Sequence, residues 1–303
     1  SSSSTTALRI GGVSYTVINS LGAAGSTTKT DLQGVRGDLT GRYALGSNID
    51  ASATSSWNSG AGFTPIGGLG SAIFTGTFDG LGHTISNVKI NSTQSNVGLF
   101  GAVGSSGTVR NVALVNPTVT ATMSNGTAQY AGTLVGKNSG TLNNVGVQST
   151  NTNATTVDGY STAVASYALG VGGLVGYNNG TITRAYSEGN VIASSQSGQD
   201  TYGAGGFVGM NDVGGTITKS FSHANVTGYG STVGDLGWAG FVGTMNGGTI
   251  DQSYSTGNTL GHDNGGPHNV TKNGAANAGG FVGSINAGTI SNSYATGDTT
   301  LQI

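Results

Sequence analysis

The sequence predicts an all-β fold, a β-solenoid in which successive lengths of chain wind about one axis. Three observations lead there. The first is repetition: residues 278–298 (AGGFVGSINAGTISNSYATGD) return as 238–258 (WAGFVGTMNGGTIDQSYSTGN), 204–226 (AGGFVGMNDVGGTITKSFSHANV) and 171–191 (VGGLVGYNNGTITRAYSEGNV). More worn copies stand at 131–147 (AGTLVGKNSGTLNNVGV) and 96–114 (NVGLFGAVGSSGTVRNVAL). The second is the period, since Leu99, Leu134, Leu174, Phe207, Phe241 and Phe281 recur every 33 to 40 residues, inside the window of stacked repeat architectures. The third is composition: 57 glycines among many Ser, Thr and Asn, and 7% charged residues where about a quarter is usual. Low charge with scattered apolar residues would signal disorder, but here the apolar residues are strictly placed, as a narrow folded core requires.

The elements follow in order. Residues 8–21 (LRIGGVSYTVINSL) come after a polar tail and read as a capping strand or two. Residues 61–90, with Phe74, Phe78, Ile85, Val88 and Ile90 between glycine-rich corners, read as short strands of the first coils. Residues 1–95 are therefore assigned to a cap with early coils and 96–303 to the repeat array, in one elongated body.

Within each repeat the opening Gly-Gly-(Leu/Phe)-Val-Gly is too short and too glycine-rich for a helix and reads as extended. Asn138, Asn178, Asn211, Asn246 and Asn286, each followed closely by glycine, are read as the turn, because Asn and Gly tolerate positive φ at least cost. A β-branched Thr-(Ile/Leu/Val) pair then opens the next strand. Further on, Val112 and Leu114, and Val145 and Val147, occupy the places held in later copies by Ser253 and Ser255, or Ser293 and Ala295. Alternation along a strand puts these inward and the residue between them outward. That residue is Ala113, Gly146, Tyr186, Phe221, Tyr254 and then Tyr294. The opposite register, rings inside and small residues out, stays open, since the pleat fixes alternation and not which face is core. Counting the variable segments between repeats as part of another rung predicts two rungs per repeat, a dozen in all, and a rod of roughly 60 Å.

Several function classes are excluded. Ten basic residues, spread singly, and a net charge of −2 offer no phosphate-binding stripe, so nucleic acid is no partner. No apolar run approaches the roughly 20 residues that span a bilayer, so no membrane insertion is expected. The chain opens SSSSTTALRIGG, which lacks the basic start and apolar core of a signal peptide, so any such signal lies upstream or has been removed. There is no cysteine, hence no disulfide and no thiolate metal site.

The pattern G-G-(L/F)-V-G-x-N-x-G-x-I-x-x-(S/A)-(Y/F)-(S/A)-x-G-N resembles the GLUG repeat of bacterial surface proteins. Upstream, GRYALGSNIDAS, FTPIGG and FTGTFDGLGHTISN resemble the segment preceding such repeats in filamentous-haemagglutinin-like exoproteins. The resemblance implies a right-handed parallel β-helix of about six repeats in a secreted bacterial adhesin or matrix protein, exported through an outer-membrane partner. It departs from the family in one place. The secretion domain of such exoproteins carries Asn-Pro-Asn, and this chain has only Asn116-Pro117-Thr118, so it resembles the passenger. GLUG repeats also occur in bacterial immunoglobulin peptidases, but Glu188 is the sole glutamate and no His-Glu-x-x-His motif is present, so that activity does not carry over.

No enzyme is expected. Polysaccharide-cleaving β-helices need clustered carboxylates, and the aspartates here do not recur at matching places in the repeat. His262, Asp263 and His268 could offer a metal two imidazoles and a carboxylate, but they sit in one glycine-rich segment without recurrence, and neither metal nor cofactor is assigned. The aromatic column Tyr186, Phe221, Tyr254 and Tyr294 has two readings: as structure, a stack of rings each supporting the next; as function, with Trp57 and Trp238 as additions, the candidate binding set, because exposed amphipathic rings among hydroxyls and amides suit sugar faces. The expected role is a stiff stalk or binding rod for host or matrix glycans or surface proteins, at a cell surface or in a biofilm. Two alternatives remain: a self-assembling fibre subunit that associates end to end, and a polysaccharide-degrading enzyme.

Overall fold

A computed structural model describes residues 8–68, 70–123, 128–151, 155–161, 168–195, 201–229, 236–262 and 276–302. The protein is all-β, and its sheets are parallel ladders in a β-helix-like stack. The exception is an amino-terminal hairpin, Leu8–Ile10 antiparallel to Val13–Ile18, which lies against Arg42–Leu45 at the first coil. Short 3-10 turns within Gln33–Gly37 and Ser52–Gly60, the latter broken by non-helical backbone at Trp57, Asn58 and Ser59, are the helical elements among the described residues.

The Thr-(Ile/Leu/Val) motif shows the register. Thr77 pairs with Thr108, Thr108 with Thr141, Thr141 with Thr181, Thr181 with Thr216, Thr216 with Thr249 and Thr249 with Thr289. One repeat is thus one coil, and the expectation of two rungs per repeat is corrected. The reason lies in the variable segments. Thr155–Ser161, Asn190–Ser195, Asn225–Tyr229 and Thr259–His262 do not start a second rung but supply one more face of the same coil, in a seven-stranded ladder from Lys89–Ser92 to Thr299–Gln302. The stack from Val13–Ile18 to Val282–Ser291 has nine strands among the described residues, which at about 4.8 Å per step makes roughly 40 Å. Thr108 pairs on both sides, so the ladder crosses residue 95 without a break. At that junction Asp79, almost fully buried, accepts from Arg110 Nε at 2.7 Å and from Asn111 Nδ2 at 3.0 Å.

Inside, each side chain lies on its counterpart in the next coil. Leu134, Leu174, Phe207 and Phe241 are fully buried in one column. The Phe207 and Phe241 rings stack at 4.7 Å, and those of Phe241 and Phe281 at 4.8 Å. A neighbouring column is apolar at Val103, Met245 and Ile285 but carries Asn138, Asn178 and Asn211 between them. The turn that the sequence predicts follows these asparagines, Asn138 and Asn178 Oδ1 accepting from Gly140 N and Gly180 N at 3.2 and 3.3 Å and Gly214 taking positive φ after Asn211, but the asparagines themselves end strands and point inward. Each is fully buried, and Asn138 Nδ2 donates to Asn178 Oδ1, and Asn178 Nδ2 to Asn211 Oδ1, both at 2.8 Å. A second positive-φ corner lies further along, at Asn111, Asn144, Arg184, Lys219, Gln252 and Asn292, with φ between 47° and 55°. Arg, Lys and Gln hold this left-handed conformation because the strands on either side of the corner are locked in ladders, which outweighs a local cost of roughly 1–2 kcal/mol. In the last two coils Asn246 and Asn286 have slipped one place outward, and they bond to each other at 2.9 Å.

Asn178→Ala should strip the middle of this buried ladder and leave Asn138 Nδ2 and Asn211 Oδ1 without their partners. The expected loss is about 2–3 kcal/mol, read by chemical denaturation, whereas Asn286→Ala on the exposed pair should cost under about 1 kcal/mol.

The glycines of Gly-Gly-(Leu/Phe)-Val-Gly serve close approach rather than unusual dihedrals. A Cβ on Gly209 would lie 2.4 Å from Val171 N, 2.6 Å from Gly176 O and 2.7 Å from Gly170 C. Two faces of the coil therefore meet backbone to backbone here.

Trp238 is fully buried and is withdrawn from the candidate binding set. It stands in the column Val171, Ala204, Trp238 and Ala278, facing Gly159, Ala193, Gly228 and Gly261. A Cβ on Gly228 would come within 2.3 Å of the indole, one on Gly261 within 2.5 Å, and one on Gly159 within 2.3 Å of Val171. Large side chains of one ladder thus fill the room left by glycines of the other, as close packing demands.

Candidate functional site

The aromatic column faces outward. Its flanking residues Ala185, Ser187, Ser220, Ser222, Ser253 and Ser255 are buried, while Tyr186, Phe221 and Tyr254 are half-exposed and Tyr294 is 57% exposed. Small polar residues are tolerated inside because each hydroxyl finds a backbone partner. Ser187 Oγ donates to Gly206 O and Ser255 Oγ to Gly280 O, both at 2.7 Å, and Ser220 and Ser253 Oγ accept the N–H of Ala185 and Ser220.

Backbone pairing joins Gly146 to Tyr186, Tyr186 to Phe221, Phe221 to Tyr254 and Tyr254 to Tyr294. Successive ring centroids lie 5.5, 5.2 and 5.3 Å apart with planes within 13° of parallel. Tyr186 leans over Gly146, where a Cβ would come within 2.2 Å of its ring. The consequence is chemical. The faces of Phe221 and Tyr254 are covered by the rings on either side, and their edges point to solvent. Trp57 does not join them. It lies half-buried in the Ser52–Gly60 segment against the core of the early coils, on another face and several coils away.

Two residues beyond each ring, the same outward side carries Glu188, His223, Thr256 and Thr296. His223 N–H donates to Ser187 O, which sets His223 beside Glu188, and its imidazole lies 4.8 Å from the Phe221 ring and 6.0 Å from that of Tyr254. Ser149 N–H donates to Glu188 Oε2 at 3.3 Å. Burial first, and then the Glu188 carboxylate, raise the Tyr186 phenol above its ordinary value. Ser149, Glu188, Gly189, His223 and Asn225 line a cleft of about 220 Å³. A second cleft of about 280 Å³, lined by Asn116, Pro117, Thr118, Ser149, Thr150 and Asn151, shares Ser149 with it. Sequence reasoning singles out Glu188 only as the sole glutamate and misses His223 and Asn225. The signal was there, because Glu188 and His223 stand two residues from Tyr186 and Phe221 and alternation puts them on the same face.

Among the described residues no group of three or more His, Asp or Glu side chains could hold a metal ion. His262 stacks on Tyr229 at 4.9 Å, and Asp263 and His268 lie outside the described residues.

Comparison with known proteins adds the following. Residues 167–192 match the GLUG motif. The chain is similar to Halomucin of Haloquadratum walsbyi, 46% identical over 107 residues, which is 34% of this chain and 1% of that protein. It is also similar to a protein of Evansella cellulosilytica named as a candidate Gly-rich membrane protein, 38% identical over 90 residues, 29% of this chain and 10% of that one. The chain thus spans a small part of the length of either relative. Among solved structures, a Bacteroides ovatus protein described as a candidate immunoglobulin A1 protease superposes with a TM-score of 0.64 at 18% identity, over 95% of this chain and 77% of its own. At that identity the likeness is one of fold.

Proposed function

We propose that the chain is a right-handed β-helix segment of about six GLUG-type repeats, in an extracellular surface protein of the filamentous-haemagglutinin-like kind. It acts as a stiff, non-enzymatic rod that adheres to glycans at a cell surface or in a biofilm matrix. The observation that carries the reading is the parallel ladder running unbroken from Val13–Ile18 to Val282–Ser291, with one outward face bearing rings, hydroxyls and amides. Stacked backbone ladders give stiffness, and weak contacts repeated coil by coil sum to avidity. The GLUG match and the likeness to a protein named Halomucin favour a surface setting. The protease-like neighbour shares the fold at 18% identity, and no His-Glu-x-x-His motif is present to supply that chemistry.

A glycan array read beside negative-stain images tests this. Binding to a subset of glycans by a monomeric rod is the expected result. Concentration-dependent lengthening would favour the fibre-subunit reading, and release of reducing ends from a polysaccharide panel would favour an enzyme.

A further inference from the structure

We infer that the joined clefts around Ser149 are the glycan-binding groove, and that they take a neutral or amine-bearing oligosaccharide in preference to an acidic one. The inference rests on the glycan reading above and goes beyond it in naming the site and the class of sugar. Three features of the groove carry it.

The first is its chemistry. Sugar hydroxyls both donate and accept, and the lining offers hydroxyls at Ser149, Thr118 and Thr150, amides at Asn116 and Asn225, an imidazole and one carboxylate. An ionised carboxylate accepts only, so Glu188 can take two adjacent hydroxyls at once. Asn225 is held in place, its Oδ1 accepting from Asn258 N at 2.9 Å and its Nδ2 donating to Asn190 Oδ1 at 3.2 Å. Asn116 Oδ1 is likewise fixed by Thr150 N and Oγ1 at 2.8 and 3.0 Å. A groove whose walls are already ordered loses less on binding.

The second is charge. Among the described residues Glu188 is the one carboxylate lining either cleft, and neither Lys nor Arg lines them. Uronate or sulfate groups therefore meet repulsion with no compensating cation, whereas an amino group meets attraction. The third is extent. Asn116, Ser149, Glu188 and His223 belong to four successive coils, so the groove runs roughly 15 Å along the axis, which calls for several linked rings rather than a single sugar. The Phe221 and His223 rings, tilted 40° to each other, form an apolar shoulder beside it. The ring faces of Phe221 and Tyr254 are covered by their neighbours in the column, so the groove and not the stack offers the sugar its contacts.

The test is calorimetric titration of the full chain with cellotriose, the glucosamine trimer and the galacturonate trimer. Cellotriose and the glucosamine trimer should bind, with the galacturonate trimer at least about tenfold weaker. Glu188→Gln and His223→Ala should each weaken binding by about tenfold or more with an unchanged melting temperature. Unchanged affinity in Glu188→Gln and His223→Ala, or preference for the galacturonate trimer, overturns the groove while glycan binding stands. Silence toward all three trimers with binding elsewhere on an array overturns the assigned sugar class, and silence across the whole array removes the glycan reading itself.

Discussion

Gly209→Ala should leave the protein unable to keep its repeat region folded, with a loss above about 4 kcal/mol, a size reserved for the most disruptive single changes. The added methyl meets Val171 N at 2.4 Å and Gly176 O at 2.6 Å. These are backbone atoms of the preceding coil, and each belongs to a ladder paired on both sides. No rotamer change can make room, so one ladder must open. Gly82→Ala is the control. Its φ is +85° but nothing lies within 4 Å of the new Cβ, so the dihedral penalty alone, roughly 1–2 kcal/mol, applies. Thermal melts followed by circular dichroism compare the two. Similar melting temperatures would mean that the coils are less tightly apposed than the backbone distances state.

Trp238→Ala is expected to cost about 3–5 kcal/mol, the range for emptying a buried aromatic site. The residue makes its contribution by shape alone, since no hydrogen-bond partner is found for its buried Nε1. It is one of two tryptophans, and Trp57 is half-buried elsewhere, so loss of a blue-shifted emission component should accompany the loss of stability. Because Gly228 and Gly261 provide the space, Gly261→Ala should destabilise wild type and do less harm beside Trp238→Ala. A double-mutant cycle measures that coupling. Additive effects would show that the indole and the glycine do not share one space.

What could be read from the chain follows from which rules are local. The period of the anchors gave the stack, and alternation gave the column from Gly146 through Tyr294 with every pairing in the observed register, while which way it faces is decided by the burial of its neighbours. Three features escaped because they are set across coils. Asn178 reads as a turn residue and does bond Gly180, but it is also satisfied by a buried amide above and another below, which a single repeat does not contain. Arg184 and Lys219 hold the left-handed corner against their own preference, because flanking strands decide it. Trp238 reads as a candidate exposed ring until the glycines 10 residues before it and 23 after it are seen to face it. The groove is legible only in outline: alternation places Glu188 and His223 beside the rings, but the distance from Glu188 to Ser149 depends on how one coil seats on the next.

The matching of Trp238 to two glycines bears on how such a chain can change. Repeats of this kind invite shuffling, since any coil offers the same backbone edge to any other. Excising the coil that contains Gly228 would leave every ladder able to close again, but it would bring Ala193 to the place opposite the indole, with a β-carbon where there was none. Units that look interchangeable along the backbone are therefore ordered by their interiors, and a deletion or duplication in this region has to carry both partners of the match with it.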